Sequence, residues 1–208
     1  MITRHLTEFP FIAILRGIRP DEAVAAGRAL KIAGFRAIEV PLNSPAPFTS
    51  IRLLADDLGE TCTIGAGTVR TPKEVDAVAK AGGRLIVMPH TDTTVIRRAS
   101  ELSMACTPGV GTVTEAFTAL DAGATGLKLF PAEMIPPKAV TAMGAVLPKE
   151  TLLIPVGGIA PDTWQPYHAA GARAFGTGSS LYKAGMGIDE LTLRARAFAE
   201  SLAPLKGA

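Results

Sequence analysis

Phe11-Ile12-Ala13-Ile14-Leu15-Arg16 runs through five apolar residues and stops on a cation. A strand with one wet face alternates apolar and polar side chains; an unbroken apolar run suits a parallel strand buried on both faces. β-rich runs of this length recur at Ala37 to Leu42, Thr63 to Val69, Leu85 to Pro89, Met104 to Thr107, Gly126 to Phe130, Leu152 to Val156 and Ala174 to Gly178. Segments of helical period separate them, so the order reads βα eight times.

Helix punctuation agrees. Pro20-Asp21-Glu22, Thr71-Pro72-Lys73-Glu74, Thr112-Val113-Thr114-Glu115 and Pro161-Asp162 place Pro, acidic groups or Thr where a helix start has free N–H groups. Ala33-Gly34, Ala81-Gly82, Ala122-Gly123 and Ala170-Gly171 supply left-handed stops just before strands. Those glycines are 48, 41 and 48 residues apart, two βα units per step. Eight parallel strands close most simply into a (β/α)8 TIM barrel, predicted as one compact domain over residues 1–208. The alternative is a doubly wound open sheet. Its dinucleotide fingerprint is missing, because neither Gly65-Ala66-Gly67-Thr68-Val69-Arg70 nor Gly176-Thr177-Gly178-Ser179-Ser180-Leu181 carries the third glycine.

Composition narrows the function. The chain is 48% hydrophobic and 19% charged, with a formal charge of +2 spread without a basic stripe. A nucleic-acid or membrane partner is therefore not expected, and any anion must be met locally. There is no apolar run of about 18 residues. The start carries Arg4, His5 and Glu8 where a signal core would be, so a cytoplasmic protein is expected. Cys62 and Cys106 read as buried thiols. His5, His90 and His168 are scattered, with His90 a rim residue after the fourth strand, so neither metal nor cofactor is expected.

In a barrel, polar residues at the C-terminal strand ends reach the mouth. These are Arg16, Glu39, Asn43, Thr68, His90, Lys128, Gly157-Gly158 and Gly176-Thr177-Gly178-Ser179. Glu39 and Lys128 stand inside apolar strands, where an unpaired charge costs several kcal/mol. One reading is a structural ion pair between them. The other is chemical: a lysine among Leu127, Leu129 and Phe130 has its ammonium form disfavoured and becomes an amine nucleophile, with Glu39 carrying protons, which calls for a carbonyl substrate. Arg16 could hold a carboxylate with its fork, and Thr68 offers a hydroxyl beside small neighbours that let a ligand approach. The glycine clusters after strands seven and eight, with a short helix beginning near Ser179-Ser180, suit a phosphate.

Together these residues resemble the class I 2-keto-3-deoxy-6-phosphogluconate and 2-keto-3-deoxy-6-phosphogalactonate aldolases. The match is carried by Ile14-Leu15-Arg16-Gly17, Glu39-Val40-Pro41-Leu42-Asn43-Ser44, Gly65-Ala66-Gly67-Thr68-Val69, Lys128-Leu129-Phe130-Pro131, Val156-Gly157-Gly158-Ile159 and the Gly176 to Leu181 loop. The resemblance implies a Schiff base on Lys128, Glu39 as general acid and base, and Arg16 with Thr68 on the pyruvyl carboxylate. It also implies Phe130 and Pro131 as an apolar wall, and Gly157, Gly158, Gly178 and Ser179 on the phosphate. The gluconate branch usually carries Thr where this chain has Val156, and the galactonate branch looks like this sequence. The substrate implied is 2-dehydro-3-deoxy-6-phosphogalactonate, cleaved to pyruvate and D-glyceraldehyde 3-phosphate, in a cytoplasmic homotrimer. The alternatives are the gluconate epimer, a phosphosugar isomerase or epimerase, and a non-catalytic phosphosugar-binding barrel. Ala132-Glu133-Met134-Ile135-Pro136-Pro137 departs from the galactonate branch, which more often has a small polar stretch and a glycine there.

Overall fold

Strand β1 (Phe11–Ile14) shows how the chain sorts its apolar residues. Phe11 and Ala13 join the core between strands and helices, while Ile12 and Ile14 join a second, smaller cluster on the other face. The computed structural model describes residues 2–203. The other strands are β2 (Ala37–Pro41), β3 (Thr63–Gly67), β4 (Leu85–Val87) and β5 (Ala105–Thr107). They are followed by β6 (Gly109–Val110), β7 (Leu127–Leu129), β8 (Leu153–Pro155) and β9 (Phe175–Thr177). All their pairings are parallel.

The architecture is α/β, with a curled parallel sheet of six strands in the order β5-β4-β3-β2-β1-β9 and a second sheet β6-β7-β8. Strands β1 to β5 lie side by side in chain order, and β9 returns to the other edge of β1. Where one fifth strand was expected, the chain forms β5 and β6 with Pro108 between them. Proline has no N–H for the ladder, yet its carbonyl accepts from Lys128 N at 2.9 Å, so the first sheet hands over to the second at this residue. On the other flank, Val156 bridges to Gly176.

The helices are α1 (Ile2–Glu8), α2 (Pro20–Ala33), α3 (Pro47–Leu58), α4 (Pro72–Lys80) and α5 (Thr93–Glu101). They continue with α6 (Val113–Asp121), α7 (Pro137–Val146), α8 (Gln165–Ala169) and α9 (Ile188–Glu200). Thr71 and Thr112 close capping boxes with Glu74 and Glu115, the arrangement their spacing encodes. Gly34, Gly82, Gly123 and Gly171 all sit at positive φ, as stops do. Two expectations need correction. The helix placed at Pro161-Asp162 starts at Gln165, after a turn closed by Thr163 N on Ala160 O at 3.1 Å. No helix begins at Ser179-Ser180; a turn closes there through Leu181 and Tyr182 N–H groups on Gly178 O, both at 2.9 Å.

Helix α1 lies outside the eightfold reading. Its Ile2 and Leu6 are buried with Ile12, Ala37, Leu85 and Ala174, residues at or near strand starts. His5 Nδ1 and Thr63 Oγ1, 2.8 Å apart, add a polar tie. The N-terminal ends of the strands are thus stoppered with apolar side chains. Among the described residues no helix is long and apolar enough to cross a membrane.

Candidate active site

Strand β7 aims Leu127 and Leu129 at the helices and Lys128 at the opposite face, because side chains alternate along a strand. Lys128 is 6% exposed, and its Nζ lies 4.3 Å from the centroid of the Phe130 ring. Burial holds its amine below the ordinary value; Glu39 opposes that shift and Arg16 adds to it. The Phe130 ring favours the ammonium form and so acts against burial.

Glu39 occupies the inward position of β2 and is 2% exposed. Its carboxyl group rests against Gly67, where any Cβ would collide with it. Burial pushes this carboxyl up to about 7, against Lys128 and Arg16, which both favour the charged form. Oε2 has no hydrogen-bond partner. Among the described residues no salt bridge joins Glu39 to Lys128, so the structural ion pair is not formed. Both groups are instead displaced toward their neutral forms, which is a state suited to proton exchange and nucleophilic attack.

The ends of β1 and β2 are tied together. Arg16 Nη1 donates to Asn43 Oδ1 at 2.7 Å, and Gly17 N donates to Ser44 Oγ at 2.9 Å. Arg16, Lys128, Phe130 and Val156 line one cavity of about 730 Å³. Gly157, Gly158, Gly178 and Ser179 line the same cavity. The structure therefore brings together eight of the eleven residues that the sequence reading gives a part in catalysis or substrate binding. Glu39 is buried behind the lining. Thr68 and Pro131 are not part of it; Thr68 stands just past β3 with φ 58, and Pro131 precedes a short 3-10 turn, Ala132–Met134. The space at the small residues before Thr68 is taken up by the protein itself. Gly65 is filled by the backbone of Leu85 and Gly67 by Glu39.

The Ala132 to Pro137 stretch set apart in the sequence brings Glu133 to this cavity, whereas sequence reasoning missed Tyr182, Lys183 and Arg194 on it. Arg194 comes from α9 and donates to Ser179 O at 3.1 Å and Ser180 O at 3.4 Å, holding the β9 loop in place. No local pattern announces it. Tyr182, directly after the glycine loop, was the one detectable signal. A cavity of about 770 Å³ opens at the other end of the strands, lined by Leu6, Leu147, His168 and Arg173, and contains none of the nominated residues. Among the described residues no three His, Cys, Asp or Glu side chains converge as metal ligands.

A desolvated amine and a desolvated carboxyl, each pushed toward its neutral form, are the equipment of an enzyme that works through an imine, and comparison with known proteins places the chain among the aldolases. A family profile described as KDPG and KHG aldolase matches residues 2–194, and the chain belongs to that family. It is a carbon–carbon lyase. It is 46% identical to the 2-dehydro-3-deoxy-6-phosphogalactonate aldolase of Escherichia coli (strain K12), across 94% of this chain and 95% of that one. It is 48% identical to a probable 2-dehydro-3-deoxy-6-phosphogalactonate aldolase of Rhizobium meliloti (strain 1021), across 90% and 89%. A solved structure described as "Native KDPGal structure" superposes with a TM-score of 0.94 at 44% identity, covering 97% of this chain and 98% of that one.

Proposed function

We propose that the chain cleaves 2-dehydro-3-deoxy-6-phosphogalactonate to pyruvate and D-glyceraldehyde 3-phosphate through a Schiff base on Lys128. The observation that carries this reading is the pair of buried ionisable groups, Lys128 and Glu39, each pushed toward its neutral form by burial. Lys128 Nζ attacks the C2 ketone, and Glu39 supplies the proton with which the carbinolamine loses water. The resulting carboxylate takes the C4 hydroxyl proton, C3–C4 breaks, and the electron pair moves into the iminium to leave a neutral enamine. Protonation at C3 and hydrolysis release pyruvate and restore the amine.

Arg16 and Thr68 hold the pyruvyl carboxylate in this reading. Thr68 sits in a left-handed conformation unusual for a β-branched residue, strain of the kind that functional positions retain. Phe130 and Pro131 form the wall beside the amine, and Gly157, Gly158, Gly178 and Ser179 take the phosphate. Val156 presents methyl groups where a threonine would offer a hydroxyl, so an apolar contact meets C4. Such a contact rejects the gluconate epimer weakly, and that epimer is the alternative substrate.

We infer further that the two sheets are staves of one (β/α)8 barrel in a single domain, with β5 and β6 as one stave broken at Pro108. The Pro108 and Val156 links between the sheets support this. A cytoplasmic homotrimer completes the reading; an apolar groove bordered by Val113, Met134 and Val146, each well exposed, suits contact between copies.

Incubation with pyruvate followed by borohydride tests the chemistry. A mass increase on the Lys128 peptide is expected, lost in Lys128→Ala while phosphate affinity persists. An unmodified Lys128 in the wild-type protein sinks the assignment of the Schiff base to that residue. The ratio of kcat/KM for the two C4 epimers then decides between galactonate and gluconate.

A further inference from the structure

The Ala132–Met134 turn is anchored on two sides. Ala132 N donates to Val156 O at 2.9 Å, at the end of β8, and Tyr167 Oη donates to Ala132 O at 2.8 Å. This anchoring throws the Glu133 side chain across the glycine pair. A Cβ on Gly157 would collide with the Glu133 carboxylate, and one on Gly158 would lie 3.5 Å from its Oε1. Gly157 at φ 116 and Gly158 at φ 63 are also in conformations that L side chains resist. Glu133 lines the same cavity as Lys128 and is exposed at its rim. Among the described residues its carboxylate makes no hydrogen bond or salt bridge.

We propose that Glu133 is a specificity-determining residue that competes with the anionic tail of the substrate for the Gly157–Gly158 cradle. The inference rests on the aldolase reading above, which assigns that cradle to the phosphate. A carboxylate resting there without a bonded partner is free to swing toward solvent, but its charge repels any incoming anion until it does so. A phosphate dianion, with the Gly178 and Ser179 backbone and the Arg194 and Lys183 side chains on the same cavity, has the means to displace it. A carboxylate tail carries less charge and fewer acceptors, so it is turned away. The same repulsion weakens the hold on the phosphorylated aldehyde once cleavage is complete.

The test uses Glu133→Gln, which keeps the shape without the charge, and Glu133→Ser, which removes the side chain. Inorganic phosphate binding is measured directly by calorimetry and as competitive inhibition of cleavage, at low and high salt. Both variants are expected to bind phosphate about three- to tenfold more tightly than the wild type, the range of an exposed charge interaction. KM should fall in step, kcat should hold or fall, and the advantage should shrink at high salt. Phosphate affinity that is unchanged or weaker in both variants overturns the proposal. Pyruvate trapping on Lys128 is the control for the reading beneath it. If trapping fails in the wild type, the Schiff-base reading of Lys128 is wrong whatever phosphate does. If trapping is normal in all three proteins and phosphate affinity does not tighten, only the role of Glu133 is wrong.

Discussion

Replacing Glu39 by Gln should change how stability depends on pH, and the size of the change follows from burial. The carboxyl rises from an ordinary 4.5 to about 7 in the folded chain. An acid held this way binds its proton more tightly folded than unfolded. Its contribution is fully present below the unfolded value and is lost as the pH rises through the folded one. The difference amounts to about 3 kcal/mol by the time the pH has passed 7. Lys128 carries the opposite slope, since its lowered amine penalises the fold at lower pH and the penalty fades as the pH rises. Glu39 raises that amine in the wild type, so Glu39→Gln lowers it further, which steepens the rise of the variant with pH and adds to the divergence between the two proteins. Urea unfolding of wild type and Glu39→Gln at one protein concentration, from about pH 5 to about pH 8, reads the effect. The wild-type midpoint should fall relative to the variant by about 1 M across that range. Parallel curves would falsify the claim that burial holds the Glu39 proton.

Two further substitutions probe the same machinery. Gly67→Ala puts a methyl group where the Glu39 carboxyl rests; kcat should drop about a hundredfold or more with phosphate inhibition retained, and a near wild-type kcat in steady-state assays would show that Glu39 need not sit there. Val156→Thr should move the ratio of kcat/KM toward the gluconate epimer by about 1 kcal/mol if one hydrogen bond is gained. An unchanged ratio would mean that this side chain does not face the C4 hydroxyl.

Much of this could be read from the chain because the decisive residues break local rules. Glu39 and Lys128 are charges in apolar strands, and an anomaly of that kind needs no alignment to be seen. The strands, most helix caps and the four glycine stops were legible because each depends on its immediate neighbours. What escaped depends on distance in space. Helix α1 was passed over because its apolar content is only Ile2 and Leu6, residues that acquire meaning once strand starts surround them. The break at Pro108 shows only when Lys128 supplies its partner. Arg194 reaches the site from a helix whose own pattern says nothing of it, and Glu133 does so because a tyrosine hydroxyl 2.8 Å from Ala132 O fixes the turn before it. The helix expected near Ser179 is a turn, and the left-handed Gly185 with Gly187 keeps the next helix from starting before Ile188.

The seam between the first and last strands bears on how the chain is made. Phe11 pairs in register with Phe175, Thr177 Oγ1 donates to Ile12 O at 3.1 Å, and the Phe11 ring lies 5.0 Å from that of Phe198. A chain emerging from the ribosome completes β1 well before β9 and α9 arrive. Throughout that interval β1 keeps an open hydrogen-bonding edge and a bare phenylalanine, a template for pairing with other nascent copies. The arrival of β9 and α9 is therefore the point in synthesis at which that edge and that ring cease to be a hazard to neighbouring chains.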